Sequence, residues 1–167
     1  RWALFTVPLC VLLGFLSGQL GSPETAWFQS LVKPGIYPEP KWFGIVWTIL
    51  YVMIGFALAL VASAWGARGR TAALWVFAVH FALNLAWSYV FFGAQQISGA
   101  LALLVAIVLT LLVVIALFWR VRRLAALLLL PYLAWVCFAT ALNYQFLQLN
   151  PQADGGTPEG AVERVRI

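Results

Sequence analysis

Long apolar runs alternate with short polar segments along the chain. Five runs approach the roughly 20 residues that a helix needs to cross the hydrocarbon core of a bilayer, and none contains a charged side chain: residues 2–20, 42–65, 71–94, 97–119 and 124–149. Because lipid offers the backbone no hydrogen-bond partner, such runs must be helical. The pattern predicts an all-α membrane protein, a bundle of five transmembrane helices.

Composition agrees with this class. Of 167 residues, 64% are hydrophobic and 9% are charged, and few soluble domains are this apolar. Short connections leave room for one domain, residues 1–150, followed by a polar tail, 151–167, that we expect to be mobile. The net charge of +5 does not indicate a nucleic-acid partner, because the basic residues flank helix ends. The two cysteines lie inside spans without metal-binding spacing, so no metal site is predicted.

The basic residues are distributed unequally between the two sides of the bundle. One side carries no acid and six arginines, namely Arg1, Arg68, Arg70, Arg120, Arg122 and Arg123. All five acids fall on the other side. The positive-inside rule therefore predicts a cytoplasmic N-terminus and a C-terminus outside.

The connection at residues 21–41 is the longest in the domain. It is rich in proline, including Pro34, and carries Trp27, Phe28 and Tyr37. A proline-rich loop with aromatic side chains is ordered more easily than a flexible linker, so it is predicted to cover a pocket. A plain connector with an aromatic residue at the membrane interface is the alternative.

Three spans carry polar and aromatic side chains at helical spacing. The stripes are Trp47, Tyr51 and Gly55; His80, Asn84, Trp87, Ser88 and Phe91; and Tyr132, Trp135, Ala139 and Asn143. At a rise of about 1.5 Å per residue, Trp47, Asn84, Trp87, Ala139 and Asn143 lie within about 15 Å of the helix ends on the loop side. They predict an aromatic cavity for a flat, largely apolar ligand. Packing between helices is the alternative for each stripe. The fourth span has only Thr110 as a notable polar group and is predicted to face lipid.

His80 is the single histidine and lies in mid-span, where ionisable groups are often functional. It could ligate a haem iron or relay a proton. Because no span offers an acidic partner, a neutral side chain bonded to a neighbouring helix is the favoured interpretation. No nucleophile or acid–base constellation can be assembled, so no catalytic residue is predicted.

Small residues recur at a spacing that lets helices approach closely. They are Gly14 and Gly18 in the first span, and Ala78, Ala82 and Ala86 in the third. They indicate packing within the chain or a homodimer.

Four segments together resemble the translocator protein / tryptophan-rich sensory protein (TspO/MBR) family, once called the peripheral benzodiazepine receptor. The similarity runs from about residue 2 to residue 150. The segments are Trp27-Phe28-x-x-Leu31-x-Lys33-Pro34, Trp47-Thr48-x-Leu50-Tyr51-x-Met53-x-Gly55, Ala82-Leu83-Asn84-x-Ala86-Trp87 with Phe91-Phe92-Gly93-Ala94, and Pro131-Tyr132-Leu133-Ala134-Trp135-x-x-Phe138-Ala139-Thr140-x-Leu142-Asn143-Tyr144.

The resemblance implies a five-helix bundle, commonly dimeric, in a membrane that is expected to be a bacterial cell membrane. It implies binding of tetrapyrroles, such as protoporphyrin IX and haem, and of drug-like molecules, with no required cofactor. The residues that match the family's cavity are Trp47, Tyr51, Asn84, Trp87, Trp135, Ala139 and Leu142, under a loop with Trp27, Phe28 and Pro34.

Two departures from the family pattern bear on function. The third span continues as Ser88-Tyr89 where many members have a proline, so a kink there is not expected. No basic residue follows Tyr144 closely, so the family's proposed sterol motif is absent. Transport of porphyrin or lipid-like solutes, and light-driven porphyrin breakdown, are the alternatives to a sensor or binding protein.

Overall fold

The fold is known from a computed structural model, which describes residues 1–21 and 24–155. No β-strand occurs among these residues. The helices are α1 (Ala3–Gln19), α2 (Ala26–Ser30), α3 (Pro40–Ala62), α4 (Arg70–Ser88), α5 (Ile97–Val121), α6 (Arg123–Leu128) and α7 (Leu130–Leu149), with a π-helical turn at Tyr89–Gly93 and a 3₁₀ turn at Pro151–Ala153.

Four helical segments are long and apolar enough to cross a membrane: Pro40–Ala62, Arg70–Gly93, Ile97–Val121 and Arg123–Leu149. The fifth apolar run forms the shorter helix Ala3–Gln19, with 17 residues. The prediction of an all-α membrane protein is therefore confirmed, and the helix bounds lie within a few residues of those predicted.

The last predicted span is interrupted at Leu129, between α6 and α7. Pro131 lies in the first turn of α7. Proline has no backbone N–H and its ring clashes with the carbonyl four residues earlier, so a helix cannot continue through it undisturbed. The interruption has a local cause in the sequence.

The third span ends in a π-helical turn, although no proline follows Trp87. The amide of Ala94 bonds to the carbonyl of Tyr89 at 2.7 Å, a five-residue step. Such turns widen a helix locally and are frequent at functional sites. Gly21 fits against this turn, since a Cβ there would lie 2.7 Å from the Cβ of Phe92.

The prediction that the fourth span faces lipid is wrong for one side of α5. Its buried residues are Ile97, Ala100, Leu104, Ile107, Leu111, Val114 and Phe118, which alternate at three- and four-residue steps. That spacing forms one continuous face along a helix. This face packs on α4 and α7, and the opposite side of α5 carries exposed residues such as Leu109 and Leu112.

Glycines allow α1 and α3 to lie close together. A Cβ at Gly55 would come within 2.6 Å of the Cα of Val7, and one at Gly14 would overlap the Tyr51 ring. The small first-span residues thus serve packing within the chain at Gly14. In the third span, Ala78 and Ala82 are exposed, and the homodimer through such faces stays a prediction.

The predicted polar tail is described only to residue 155; residues 156–167 lie outside the described part. Residues 151–155 pack against the domain. The amide of Gly155 bonds to the carbonyl of Gln95, and Asp154 accepts from the amide of Ser98.

Replacing Gly55 by alanine should lower the stability of the bundle, because the added methyl group meets the backbone of α1. Overpacking of this kind costs about 1–3 kcal/mol. Gly44→Ala on the same helix is the matched control, since its Cβ meets nothing within 4 Å. We expect the control to match or exceed the wild-type stability. Thermal unfolding in detergent micelles measures both, and equal melting temperatures for the two variants would contradict the close α1–α3 packing.

Candidate ligand cavity

A cavity of about 430 Å³ lies inside one end of the bundle, below the 21–41 loop. Its wall contains every span residue predicted to line a ligand site: Trp47, Tyr51, Asn84, Trp87, Trp135, Ala139, Leu142 and Asn143. The spacing of three or four residues brings these side chains to the inner faces of α3, α4 and α7. Three members of the stripes, Gly55, His80 and Tyr132, do not line the cavity. The role of the lining residues in binding stays a prediction.

Two helices that the sequence analysis did not place at the site also line it. Helix α1 contributes five residues, Val11, Gly14, Phe15, Gly18 and Gln19, and α5 contributes Leu104 and Ile107. The recurring glycines of α1 were the available signal, but their spacing indicated helix packing equally well. In α5, the apolar sequence gives no contrast between its two sides.

Aromatic side chains account for 11 of the 27 described residues that line the cavity. Trp47 stacks on Tyr51 with ring centroids 5.5 Å apart, and it meets Trp135 edge to face at 6.5 Å. Trp87 stacks on Phe91 at 5.2 Å. The wall thus presents both faces and edges of rings, which suits a flat aromatic ligand.

Few polar groups reach the cavity, and most have partners within the protein. The Asn143 amide donates to the carbonyl of Ile97 at 3.0 Å and accepts from the Trp87 indole at 3.3 Å. The Trp135 indole nitrogen differs, because it is buried and has no hydrogen-bond partner among the described residues. The atom has essentially no accessible surface, so it is an unpaired donor packed within the protein and not a group exposed to the cavity.

The end of the cavity nearest the membrane centre, formed by Tyr51 and Asn84, is here called the floor. Tyr51 donates to Asn84 Oδ1 at 3.0 Å, and Asn84 Nδ2 donates to the Tyr132 hydroxyl at 2.6 Å. His80 lies behind, with Nε2 2.8 Å from the Tyr132 oxygen and Nδ1 2.8 Å from Thr110 Oγ1. This series of hydrogen bonds links four helices: α3, α4, α5 and α7. His80 is fully buried and bonds to neighbouring helices, as the sequence predicted.

Two of the four predicted lid residues face the cavity. Phe28 and Tyr37 line it, and their rings lie 6.1 Å apart. Trp27 and Pro34 do not; Trp27 packs on Phe91 and donates to the carbonyl of Ala153 at 3.2 Å. Thr25 caps α2 by accepting from the amide of Phe28. The lid is thus a short capped helix followed by a proline-rich turn.

Lys33 and Tyr37 of the lid have shifted pKa values. The Lys33 ammonium donates to the carbonyls of Phe28 and Leu31 at 2.7 and 3.0 Å, which closes the end of α2. Partial burial lowers the pKa of Lys33. Burial raises the pKa of Tyr37, so this side chain is a neutral wall of the cavity at ordinary pH.

Asn150, just after α7, holds the lid in place. Its side chain accepts from the amide of Val32 at 2.7 Å and donates to the carbonyl of Val32 at 2.9 Å and of Phe146 at 3.0 Å. The amide group is 2% exposed, so these bonds are shielded from water. Together with the Trp27–Ala153 bond, it makes residues 150–155 a strap across the lid.

The cavity reaches the outer surface between α1 and α3. Phe15 and Gly18 on one side, and Gly44 and Thr48 on the other, both line the cavity and are exposed. A Cβ at Gly18 or Gly44 would meet nothing within 4 Å, so these glycines leave a gap between α1 and α3. We call this gap, which Phe15, Gly18, Gly44 and Thr48 border, the seam. This opening lies between the apolar faces of the two helices.

The chemistry of the lining fits binding better than acid–base work. Among the described residues, no group of three or more His, Cys, Asp or Glu could hold a metal ion. No Lys, Arg, Asp or Glu lines the described cavity. The arrangement offers ring surfaces and a few amides.

Comparison with known proteins gives a consistent result. The sequence model of the TspO/MBR family matches residues 6–149. The chain is 40% identical to the tryptophan-rich protein TspO of Chlorobaculum tepidum, over 87% of this chain and 93% of that protein. It is 34% identical to the tryptophan-rich sensory protein of Cereibacter sphaeroides (89% and 92%). It is 39% identical to the translocator protein of Homo sapiens (78% of each).

Replacing Asn150 by alanine should loosen the lid, because Val32 loses both partners of its peptide group. We expect the amides of residues 24–39 to exchange hydrogen about tenfold faster, the size of one or two buried hydrogen bonds. Gln148→Ala on the exposed side of the same helix is the control. Hydrogen–deuterium exchange followed by mass spectrometry measures both, and unchanged lid protection in Asn150→Ala would contradict the strap.

Proposed function

Because the chain belongs to the TspO/MBR family, we propose that it is a membrane receptor that binds tetrapyrroles, such as protoporphyrin IX and haem, and similar flat apolar ligands. The ligand lies in the aromatic cavity between α3, α4 and α7, with α1 and α5 completing the wall and the lid above. The binding residues are the eight predicted span residues together with Phe28 and Tyr37 of the lid.

One observation carries the proposal: four large aromatic side chains, Trp47, Tyr51, Trp87 and Trp135, line one cavity whose described wall has no Lys, Arg, Asp or Glu. Its volume of about 430 Å³ is that of a small-molecule site. Aromatic walls favour a planar ring.

The proposal includes five membrane-crossing helices, with α1 as the fifth. Large apolar side chains cover the outer surface of the bundle, for example Leu4 (83% exposed) and Trp75 (68%). Such apolar side chains are favourably solvated by lipid, whereas their exposure to water would be unfavourable. The arginine-rich turns lie in the cytoplasm of a bacterial cell, which places the lid and the cavity in the outer half of the membrane. A homodimer would use the exposed Ala78 and Ala82.

Cysteine labelling tests the topology. In a background with Cys10→Ala and Cys137→Ser, a membrane-impermeant maleimide added to intact cells should label Gln96→Cys and not Arg68→Cys. Both positions are exposed in turns at opposite ends of α4. Lysed cells serve as the control, in which both should be labelled. The reverse pattern would contradict the orientation, and labelling of both in intact cells would contradict the span between them.

Titration with protoporphyrin IX tests the ligand and its location. Trp135→Phe should weaken binding about two- to tenfold, because the smaller ring offers less aromatic contact to the ligand. Ala139→Leu should weaken it about fivefold or more, because the larger side chain occupies the cavity. Quenching of tryptophan fluorescence, checked by porphyrin absorbance, measures both affinities.

Two control variants separate a cavity effect from a general one. Trp75→Phe removes an exposed tryptophan outside the cavity, and Ala134→Leu enlarges an exposed alanine on the same helix as Ala139. Both should bind as the wild type does. Saturable binding that all four variants leave unchanged would place the porphyrin elsewhere, and the absence of saturation would exclude the ligand class.

A further inference from the structure

We propose that His80, which does not line the cavity, determines whether Tyr51 offers a hydrogen-bond acceptor or a donor to a bound ligand. The inference deepens the proposed function, since it concerns the selectivity of the same site. It rests on the chain of side chains from Tyr51 through Asn84 and Tyr132 to His80 and Thr110.

The direction of the hydrogen bonds follows from the number of hydrogens. A hydroxyl group has one hydrogen, and a neutral imidazole has one N–H and one acceptor nitrogen. The Thr110 hydroxyl has two backbone acceptors, the carbonyls of Ala106 at 2.9 Å and Ile107 at 3.1 Å. When it donates to either of them, its oxygen accepts from His80 Nδ1. His80 Nε2 is then the acceptor and receives the hydrogen of Tyr132.

The rest of the chain follows the same direction. With its hydrogen on His80, the Tyr132 oxygen accepts from Asn84 Nδ2, and Asn84 Oδ1 accepts from Tyr51. Every hydroxyl and imidazole hydrogen has an acceptor. The single hydroxyl hydrogen of Tyr51 is donated to Asn84, so only its oxygen lone pairs are left for a ligand.

The hydrogen bonds of this series can reverse only together, because a change of donor at one group changes the role of the next. If His80 carries its hydrogen on Nε2, Tyr132 accepts it and must donate to Asn84. The Asn84 amide then turns over and donates to Tyr51, whose hydrogen is free to point into the cavity. In this state Thr110 donates to His80 Nδ1 and no longer to a backbone carbonyl.

The two directions differ in energy by about one hydrogen bond when the cavity is empty. The reverse state loses the bond from Thr110 to a backbone carbonyl and leaves the Tyr51 hydrogen without an acceptor. An uncompensated polar group of this kind costs about 1–3 kcal/mol. In the free protein the hydrogen bonds therefore run in the first direction, and Tyr51 at the floor accepts hydrogen bonds. A ligand that offers only an acceptor at the floor binds well only after all these hydrogen bonds have reversed.

Replacement of His80 tests the direction without changing the cavity wall. His80→Phe removes the acceptor for Tyr132, whose hydrogen must then go to Asn84 Oδ1, which forces the reverse direction. His80→Gln is the matched rescue, because its carbonyl replaces Nε2 as acceptor and its amide replaces Nδ1 as donor. A merely structural effect of His80→Phe would weaken all ligands alike. His80→Leu, which also has no acceptor, replaces it if the phenylalanine variant fails to fold.

Carbazole and dibenzofuran are suitable probes, because the two tricycles have nearly the same shape but offer an N–H and an oxygen, respectively. The ratio of their affinities is compared with the ratio in Tyr51→Phe, which has no hydroxyl at the floor. Relative to that variant, wild type and His80→Gln should favour carbazole by about two- to tenfold. His80→Phe should favour dibenzofuran by a similar factor. The same ratio in all four proteins would overturn the proposal.

Nitrogen NMR tests the tautomer directly and needs no ligand. The chain has one histidine, so ¹⁵N-labelled histidine in protein purified without a histidine tag gives the signals of His80 alone. We expect Nδ1 to be protonated and Nε2 unprotonated in the free protein. Saturation with dibenzofuran should move the proton to Nε2, whereas carbazole should not. A free protein with Nε2 protonated, or with both nitrogens protonated, would overturn the proposal.

The two experiments separate failure of this inference from failure of the proposed function. If neither tricycle binds, the class of flat apolar ligands is contradicted, and the NMR result still decides the direction of the chain. If both bind with unaltered ratios, the ligand class stands and the role of His80 falls.

Discussion

Inside a bilayer, a polar group has only the protein itself as a hydrogen-bond partner. This constraint determines both the helices and the small number of polar side chains between them. Thr6 bonds to the carbonyl of Gly55 and joins α1 to α3, and Asn143 bonds to the carbonyl of Ile97 and joins α7 to α5. These polar residues therefore connect neighbouring helices by hydrogen bonds, and the cavity lies beside such hydrogen bonds among aromatic side chains.

Close helix contact and open space are produced by the same residue type. Gly14 and Gly55 bring α1 against α3 in one half of their contact, whereas Gly18 and Gly44 leave a gap in the other half. The helices diverge toward the lid, and aromatic side chains from both sides only partly fill the space between them. The cavity is thus a consequence of how the two helices are packed, as much as of the residues that line it.

The sequence predicted the parts of this structure in which polar and apolar residues contrast. The stripe of Trp135, Ala139 and Asn143 stands out because a large ring, a small residue and an amide follow one another at four-residue steps, and the structure brings it to the cavity. Leu104 and Ile107 of α5 could not be found in this way, because apolar residues surround them on every side of the helix. The role of Asn150 was equally hidden: a polar residue at the end of a span is expected, and only the fold shows that it bonds to Val32, 118 positions away.

The seam between α1 and α3 has a consequence for how affinity is expressed. Its rims, Phe15 and Thr48, are exposed on the apolar helices α1 and α3, so a ligand that passes through the seam exchanges with the bilayer. Occupancy then follows the mole fraction of ligand dissolved in the membrane. A hydrophobic molecule at a vanishing aqueous concentration still fills the site once it partitions into lipid. Dissociation constants obtained in detergent scale with the amount of micellar phase, and they become comparable between ligands only after each is divided by its own partition coefficient.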